Sequence, residues 1–190
     1  MLIRPARRSD AADLAILDDM ASSGLASWLW QGAVNAGKAG TAFERGRQKF
    51  ASDKGPVSWR NALVLEIDGD VAGMSLSYFA EPPQPPRGVI DPVLAPLIEL
   101  TALAAGTWYV DALAVYSGYR GHHAGRRLME AELARADGRE MSLITEDDNA
   151  RALSLYASLG FVEAARRDCV KFRSTQTTHA FVLLKRPATT

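Results

Sequence analysis

The chain has 190 residues, with 22 basic side chains, 22 acidic ones and a single cysteine. That length favours one domain over residues 1–190, burying roughly 70% of its unfolded surface, and the balanced charge gives no global field toward nucleic acid or an anionic membrane. Cys169 has no partner for an internal disulfide or a Cys-based zinc site, no run of about 18 apolar residues exists to cross a membrane, and the charged N-terminus lacks a secretory apolar core. A soluble cytoplasmic protein is therefore the expectation.

In chain order, "LIRPA" predicts a short extended opening. A helix begins at Ser9 and Asp10 and carries Leu14, Leu17 and Met20 at helical spacing. Residues 22–52 are Ala/Gly-rich and predicted helical, with a "SWLWQ" stretch that fits no simple period. "NALVLEI-DGD-VAGMSLSYF" places two β-rich runs around an Asp-Gly turn, a strong hairpin signal. The four prolines of "EPPQPPRG" exclude helix and central strand, so a loop follows. "DPVLAPLIELTALAAG" predicts a short helix ended by glycine, "TWYVDALAV" a buried strand and "GRRLMEAELARADG" a helix. Then come "MSLIT" as a strand, "DDNARALSLYASLG" as a helix, and "FVEAARRDCVKF" and "AFVLLKR" as two last strands. The pattern is α/β throughout, with no internal repeat and no interdomain linker.

Between the central strand and its helix lies "YRGHHAGRR". A strand feeding a helix through such a loop gathers unpaired N–H groups and the positive dipole end at one point, which suits an anion. Gly121 and Gly125 allow close backbone approach, and Arg120, Arg126 and Arg127 add charge in a form that forks onto phosphate. An ordinary strand–helix turn with solvated arginines fits the same composition. The adjacent His122 and His123 make a poor metal pair, because neighbouring side chains seldom converge on one ion and no third ligand is close. No metal site is expected.

Downstream, Asn149, Ala152, Tyr156, Gly160 and Phe161 form "N-x-x-A-x-x-x-Y-x-x-x-G-F". Together with "LAV" and "YRGHHAG" about thirty residues earlier, this resembles the GNAT N-acetyltransferase superfamily along nearly the whole chain. The resemblance implies an α/β fold with a central, mostly antiparallel mixed sheet of six to seven strands, a splayed parallel pair and flanking helices. It also implies transfer of an acetyl group from acetyl-CoA to an amine. The family's pyrophosphate loop reads Arg/Gln-x-x-Gly-x-Gly/Ala. Arg120 and Gly125 fit its ends, while His123 replaces the middle glycine. A left-handed His there carries about 1–3 kcal/mol of strain, yet backbone donation survives any side chain.

The resemblance assigns cofactor contacts to Leu113, Ala114 and Val115, whose backbone pairs with the pantetheine arm. It assigns further contacts to Arg120, Gly121, His122, His123, Ala124, Gly125, Arg126, Asn149 and Tyr156. Tyr156 has a second reading, since it sits at core spacing with Ala152, Leu155 and Leu159. In the family this Tyr protonates the departing thiolate, a step that suits a phenol. Asp111 is the one acid inside the apolar central strand, where it is costly unless paired or useful. Alternation puts it on a face with Tyr109, Leu113 and Val115. It is the expected general base, directly or through a water, with desolvation raising its proton affinity. The family's other base position is occupied by Ile144, and Glu146, Asp147 and Asp148 read as acids complementing a helix dipole.

Two functions follow. One is an acetyl-CoA-dependent N-acetyltransferase working by direct attack in a ternary complex; Cys169 lies outside the signature half, against a covalent acetyl-enzyme. The other is a non-catalytic acyl-CoA-binding regulatory module, which the substituted loop keeps open. The acceptor, a small-molecule or peptide amine, is not legible. "SGLASWLWQGA", the Pro-rich loop and "RSTQTTH" are placed to shape its pocket, with Trp28, Trp30 and His179 as candidates. The tryptophans fit the core or a homodimer interface equally well.

Overall fold

The computed structural model describes residues 1–83 and 89–189. Within them are six α-helices and seven strands. The strands are β1 (Leu2–Pro5), β2 (Ala62–Ile67), β3 (Asp70–Phe79), β4 (Trp108–Val115), β5 (Met141–Glu146), β6 (Val162–Asp168) and β7 (Ala180–Arg186). The helices are α1 (Ala11–Ala21), α2 (Leu25–Asn35), α3 (Ala42–Phe50), α4 (Ala95–Leu103), α5 (Ala124–Ala136) and α6 (Ala150–Ser158). Hydrogen-bonded neighbours run β1-β2-β3-β4-β5-β7-β6, a mixed sheet in which β4 and β5 are the parallel pair. Two compact units divide the chain: residues 1–78 with 111–135, and the remainder.

In the first unit β1 pairs antiparallel with β2, and β2 with β3. The β2–β3 connection is the two-residue Asp68-Gly69 turn, with φ of 52° and 91°. Left-handed dihedrals at both positions match the twist of the flanking strands, which is why the Asp-Gly pair predicts this hairpin. One sheet face buries Val64, Met74, Leu76, Ala112 and Ala114 under Leu14 and Leu17 of α1, Trp30 of α2 and Phe50 of α3. The opposite face carries Leu65, Ala72 and Val115 against Ala124 and Leu128 of α5. Val64 and Leu65 thus point to opposite layers, as strand alternation requires.

The predicted helical stretch 22–52 resolves into α2 and α3, separated by a Gly-containing turn. Thr41 caps α3, its side chain accepting from Glu44 N–H at 3.1 Å. "SWLWQ" lies on α2, and Trp30 packs over Gly46 of α3, where any Cβ would come within 2.4 Å of the indole. A glycine on the neighbouring helix therefore makes room for this tryptophan. Trp30 is 4% exposed, which places it in the core rather than in an open pocket. Glu132 on α5 is fully buried; it accepts from the Ser75 and Ser77 hydroxyls and pairs with Arg135. That network satisfies a charge the apolar pattern of α5 does not foretell.

In the second unit β5 runs parallel to β4 over Met141–Leu143 and Trp108–Val110, and β7 lies antiparallel between β5 and β6. Helix α4 is tied to β6 by the Arg167–Glu99 ion pair at 2.6 Å. Of the proline-rich loop expected at 81–88, residues 84–88 lie outside the described residues.

Candidate active site

In the first unit, β4 ends at Val115 and a short turn over Ser117–Tyr119 leads into the basic loop. Gly121, His122 and His123 then follow one another at φ of 89°, 48° and 59°. Three successive left-handed residues reverse the chain into α5. The Ala124 N–H donates to the Gly121 carbonyl at 3.0 Å, and the His123 carbonyl receives the Arg127 N–H at 2.9 Å. His123 thus adopts the conformation a glycine would take at little cost, as an L-residue at φ +59°. Arg120, Gly121, His122 and His123 are exposed, while Ala124 is buried and Gly125 and Arg126 are half-buried. The Arg120 Nε donates to the Val115 carbonyl at 3.1 Å, folding the guanidinium back toward the strand end. Arg126 has a 3.9 Å ion pair with Glu130. The backbone geometry, the helix dipole and the arginines suit a pyrophosphate.

Leu113 and Val115 pack toward α5, and Ala114 toward the α1–α3 layer. The Tyr116 N–H donates to Ala72 O at 2.9 Å. A Cβ on Gly73 would come within 2.7 Å of the Ala114 carbonyl, so glycine there permits close approach of β3.

Asp111 departs from simple alternation. It accepts a hydrogen bond from the Tyr78 hydroxyl, and Tyr78 follows Met74 and Leu76 on the β3 face covered by α1 and α3. Leu113 and Val115 face α5 instead, so Asp111 does not share their face. Burial pushes the Asp111 carboxyl up to about 6, against the opposing effects of Tyr78 and the Lys49 charge. Asp18 on α1 was not among the expected site residues. Its carboxyl rises to about 7, through burial and then the nearby Asp111 charge, with Lys49 opposing. The signal that could have found it is positional: Ala11, Leu14, Ala15 and Asp18 form one helical stripe, and a carboxylate takes the fourth place.

In the second unit, Asn149 is the N-cap of α6, its Oδ1 accepting from Ala152 N–H at 3.2 Å. The Asn and Ala of the signature are thus linked by a cap. Tyr156 is 8% exposed, with its ring centroid 6.0 Å from that of Phe161, whose N–H donates to the Tyr156 carbonyl at 3.1 Å. No hydrogen bond joins the Tyr156 hydroxyl to another side chain among the described residues. Burial alone pushes it up to about 12, so it keeps its proton at neutral pH.

The acids ahead of α6 are engaged. Asp148 accepts from the Thr177 and Thr178 hydroxyls, and Asp147 from the His179 N–H, with Arg166 nearby at 3.6 Å. They hold the "RSTQTTH" connection to the α6 entrance, a tertiary role beyond complementing a dipole. His179 is exposed and Trp28 half-buried. Cys169 accepts from Gln176 Nε2 at 3.0 Å, and burial raises its thiol above the ordinary range. That disfavours the thiolate a nucleophile needs.

A model of the acetyltransferase (GNAT) family matches residues 41–161. The N-alpha-acetyltransferase 30 of Saccharomyces cerevisiae is 39% identical over 61 residues, 30% of this chain and 35% of that protein. The chain thus spans about a third of the length of the curated relative it matches. Among solved structures, an N-acetyltransferase from Staphylococcus aureus Mu50 is similar at a TM-score of 0.65 and 20% identity, covering 97% of this chain and 100% of the other. Arabidopsis thaliana Naa50, in complex with the bisubstrate analogue CoA-Ac-MVNAL, gives a TM-score of 0.58 at 14% identity, with 97% of each chain covered. Those two likenesses are of fold.

Proposed function

Since the chain belongs to the acetyltransferase (GNAT) family, we propose that it is an N-acetyltransferase moving the acetyl group of acetyl-CoA to a primary amine. The transfer is direct, within a ternary complex, and the working unit is one domain over residues 1–190 in the cytoplasm. The observation that carries this reading is the loop from Arg120 to Arg126, whose left-handed residues turn the chain into the N-terminus of α5.

The loop's N–H groups and the arginines take the pyrophosphate, and the β4 backbone at Leu113–Val115 accompanies the pantetheine amides as an added strand would. Asp111 accepts a proton from the acceptor amine, which frees the nitrogen lone pair to attack the thioester carbonyl carbon. The new C–N bond replaces the C–S bond, and the nitrogen gives up its remaining extra proton to water as the neutral amide forms. Tyr156, protonated and without a hydrogen-bonded side-chain partner, gives its proton to the departing sulfur and is reprotonated from water. Asp111 returns its proton to solvent. The raised Asp111 carboxyl suits this work, because a stronger base accepts a proton more readily. The raised thiol of Cys169 supports direct attack over a covalent acetyl-enzyme.

The yeast relative is by name an N-alpha-acetyltransferase, which puts peptide α-amines first among acceptors. The test is a panel of peptides, polyamines, aminoglycosides and amino-acid-like amines assayed for free CoA. Acetyl-CoA binding with turnover of one amine class is expected. Cofactor binding without turnover on any amine would favour the regulatory module, and no binding at millimolar acetyl-CoA would end both readings.

A further inference from the structure

Buried side chains recur on α5 at Ala124 and Leu128, and the next place in that stripe is Glu132, itself fully buried. A carboxylate in such a stripe is costly unless it is hydrogen-bonded. Its partners come from two elements. The Ser75 hydroxyl donates to Oε1 and the Ser77 hydroxyl to Oε2, while Arg135 Nη1 reaches both oxygens at 3.1 and 3.3 Å. Ser75 and Ser77 are two residues apart on β3, so they share the face turned to α5, opposite Met74 and Leu76. Arg135 Nη1 also donates to Ser77 Oγ at 3.1 Å and to the Asn61 carbonyl at 3.3 Å, just ahead of β2.

Contacts of Ala124 and Leu128 with Leu65, Ala72 and Val115 hold α5 on the sheet, but such apolar attraction is non-directional and fixes the axial position of a helix only loosely. Hydrogen bonds are directional. The N-terminus of α5 lies roughly 12 Å along the axis from Glu132 by helix rise, and left-handed Gly121, His122 and His123 enter it there. Ahead of them, the Tyr119 hydroxyl donates to Asp70 at 3.1 Å and Arg120 Nε to the Val115 carbonyl at 3.1 Å, which fastens the loop to β3 and β4. The short span is thus held from both ends. Two histidines keep left-handed dihedrals in it, as side-chain-bearing residues do where the surroundings over-determine the chain path.

We propose that Glu132 is a positioning residue for the cofactor: by tying α5 to β3 through Ser75 and Ser77, it fixes the helix end from which the loop from Arg120 to Arg126 binds pyrophosphate. The inference rests on that loop taking the pyrophosphate of acetyl-CoA. Arg135 balances the buried charge and adds a second tie, to the start of β2.

The test replaces the network with apolar groups of similar shape, combining Ser75→Ala, Ser77→Ala and Glu132→Met. Exchanging a buried ionic network for apolar packing is often neutral or stabilising, so stability and positioning separate in this triple variant. Its melting temperature should stay near that of wild type or rise, while acetyl-CoA affinity by calorimetry falls about tenfold, because small misplacements of binding groups are costly. In turnover, the KM for acetyl-CoA should rise by the same factor, with kcat at saturating cofactor and the KM for the amine nearly unchanged. Glu132→Gln keeps one accepting oxygen and should lose less affinity. Amide NMR of the cofactor-free protein reads the loop directly, and the signals of residues 121–127 should shift or broaden in the triple variant. A role in stability alone would lower the melting temperature and leave affinity and loop signals in place. Wild-type affinity or unmoved loop signals in a folded triple variant would overturn the proposal. Should that variant not fold, Ser75→Ala and Ser77→Ala are measured singly, and wild-type affinity in both would overturn it equally. If wild type binds no acetyl-CoA, the acetyltransferase reading falls, and the loop signals still decide whether Glu132 fixes the loop.

Discussion

The loop before α5 and the signature around α6 solve different problems. In the loop the groups proposed to bind the cofactor are backbone N–H donors, for which the chain path matters more than the side chains. His123 stands in a left-handed conformation that glycine would adopt freely, and the path is kept. Around α6 the side chains themselves make the arrangement: Asn149 caps, Tyr156 packs on Phe161, and among the described residues no side chain hydrogen-bonds the tyrosine hydroxyl. A backbone-built site tolerates substitution as long as the dihedrals hold, whereas a site built from side chains does not.

The sharpest break of that comparison is Tyr156→Phe. The ring and its contact with Phe161 remain while the proposed proton donor is lost. Turnover should fall by roughly 10²-fold to 10⁴-fold with acetyl-CoA affinity nearly unchanged, read from steady-state kinetics beside calorimetry. Full activity in the folded variant would remove Tyr156 from the mechanism. With its hydroxyl pushed up to about 12, Tyr156 should impose no alkaline limb on the wild-type rate below about pH 11.

On the loop side, Gly125→Asp puts a carboxylate in the first turn of α5, where it competes for the positive helix end and repels the pyrophosphate proposed to bind there. Acetyl-CoA affinity should drop about tenfold or more, equal to about 1.4 kcal/mol, on calorimetry. Arg120→Ala should weaken binding less, because the Arg120 Nε is already engaged by the Val115 carbonyl.

The carboxyls on the α1–α3 side give a pH-dependent contrast. Asp111 and Asp18 have folded-state proton affinities above their unfolded ones. Such groups contribute stability at pH below the unfolded value of about 4, and that contribution is lost as pH rises through about 6 to 7. Asp18→Asn should therefore raise the melting temperature at pH 8 and lose that advantage toward pH 4. An equal gain at both values would mean that burial does not perturb the group. For Asp111→Asn, turnover should suffer most where the acceptor is protonated and recover partly as pH rises.

The smallest expected effect is at His123. His123→Gly removes left-handed strain and also raises the entropy of the unfolded chain, so stability should change by no more than about 1 kcal/mol in chemical unfolding. Cofactor affinity should be retained or improved. A loss that is larger at pH 6 than at pH 8 would show that the imidazole itself touches phosphate.

Local rules reached far into this chain. The Asp-Gly hairpin and the strand–loop–helix order at Arg120–Arg126 each depend on residues within a few positions of one another, so short-range sterics settle them. The character of the fold followed from periodicity for the same reason. Neighbours distant in sequence decided the rest. Trp30 became core because Gly46 on another helix leaves it room, and Glu132 became buried because Ser75, Ser77 and Arg135 satisfy its oxygens. Asp111 left its expected face for the hydroxyl of Tyr78, and Asp18 acquired a raised proton affinity from burial and a charge 93 positions away in the chain. Local sequence can show that a carboxylate lies in an apolar stripe, but its proton affinity depends on the dielectric and charges around it, and only tertiary packing supplies those.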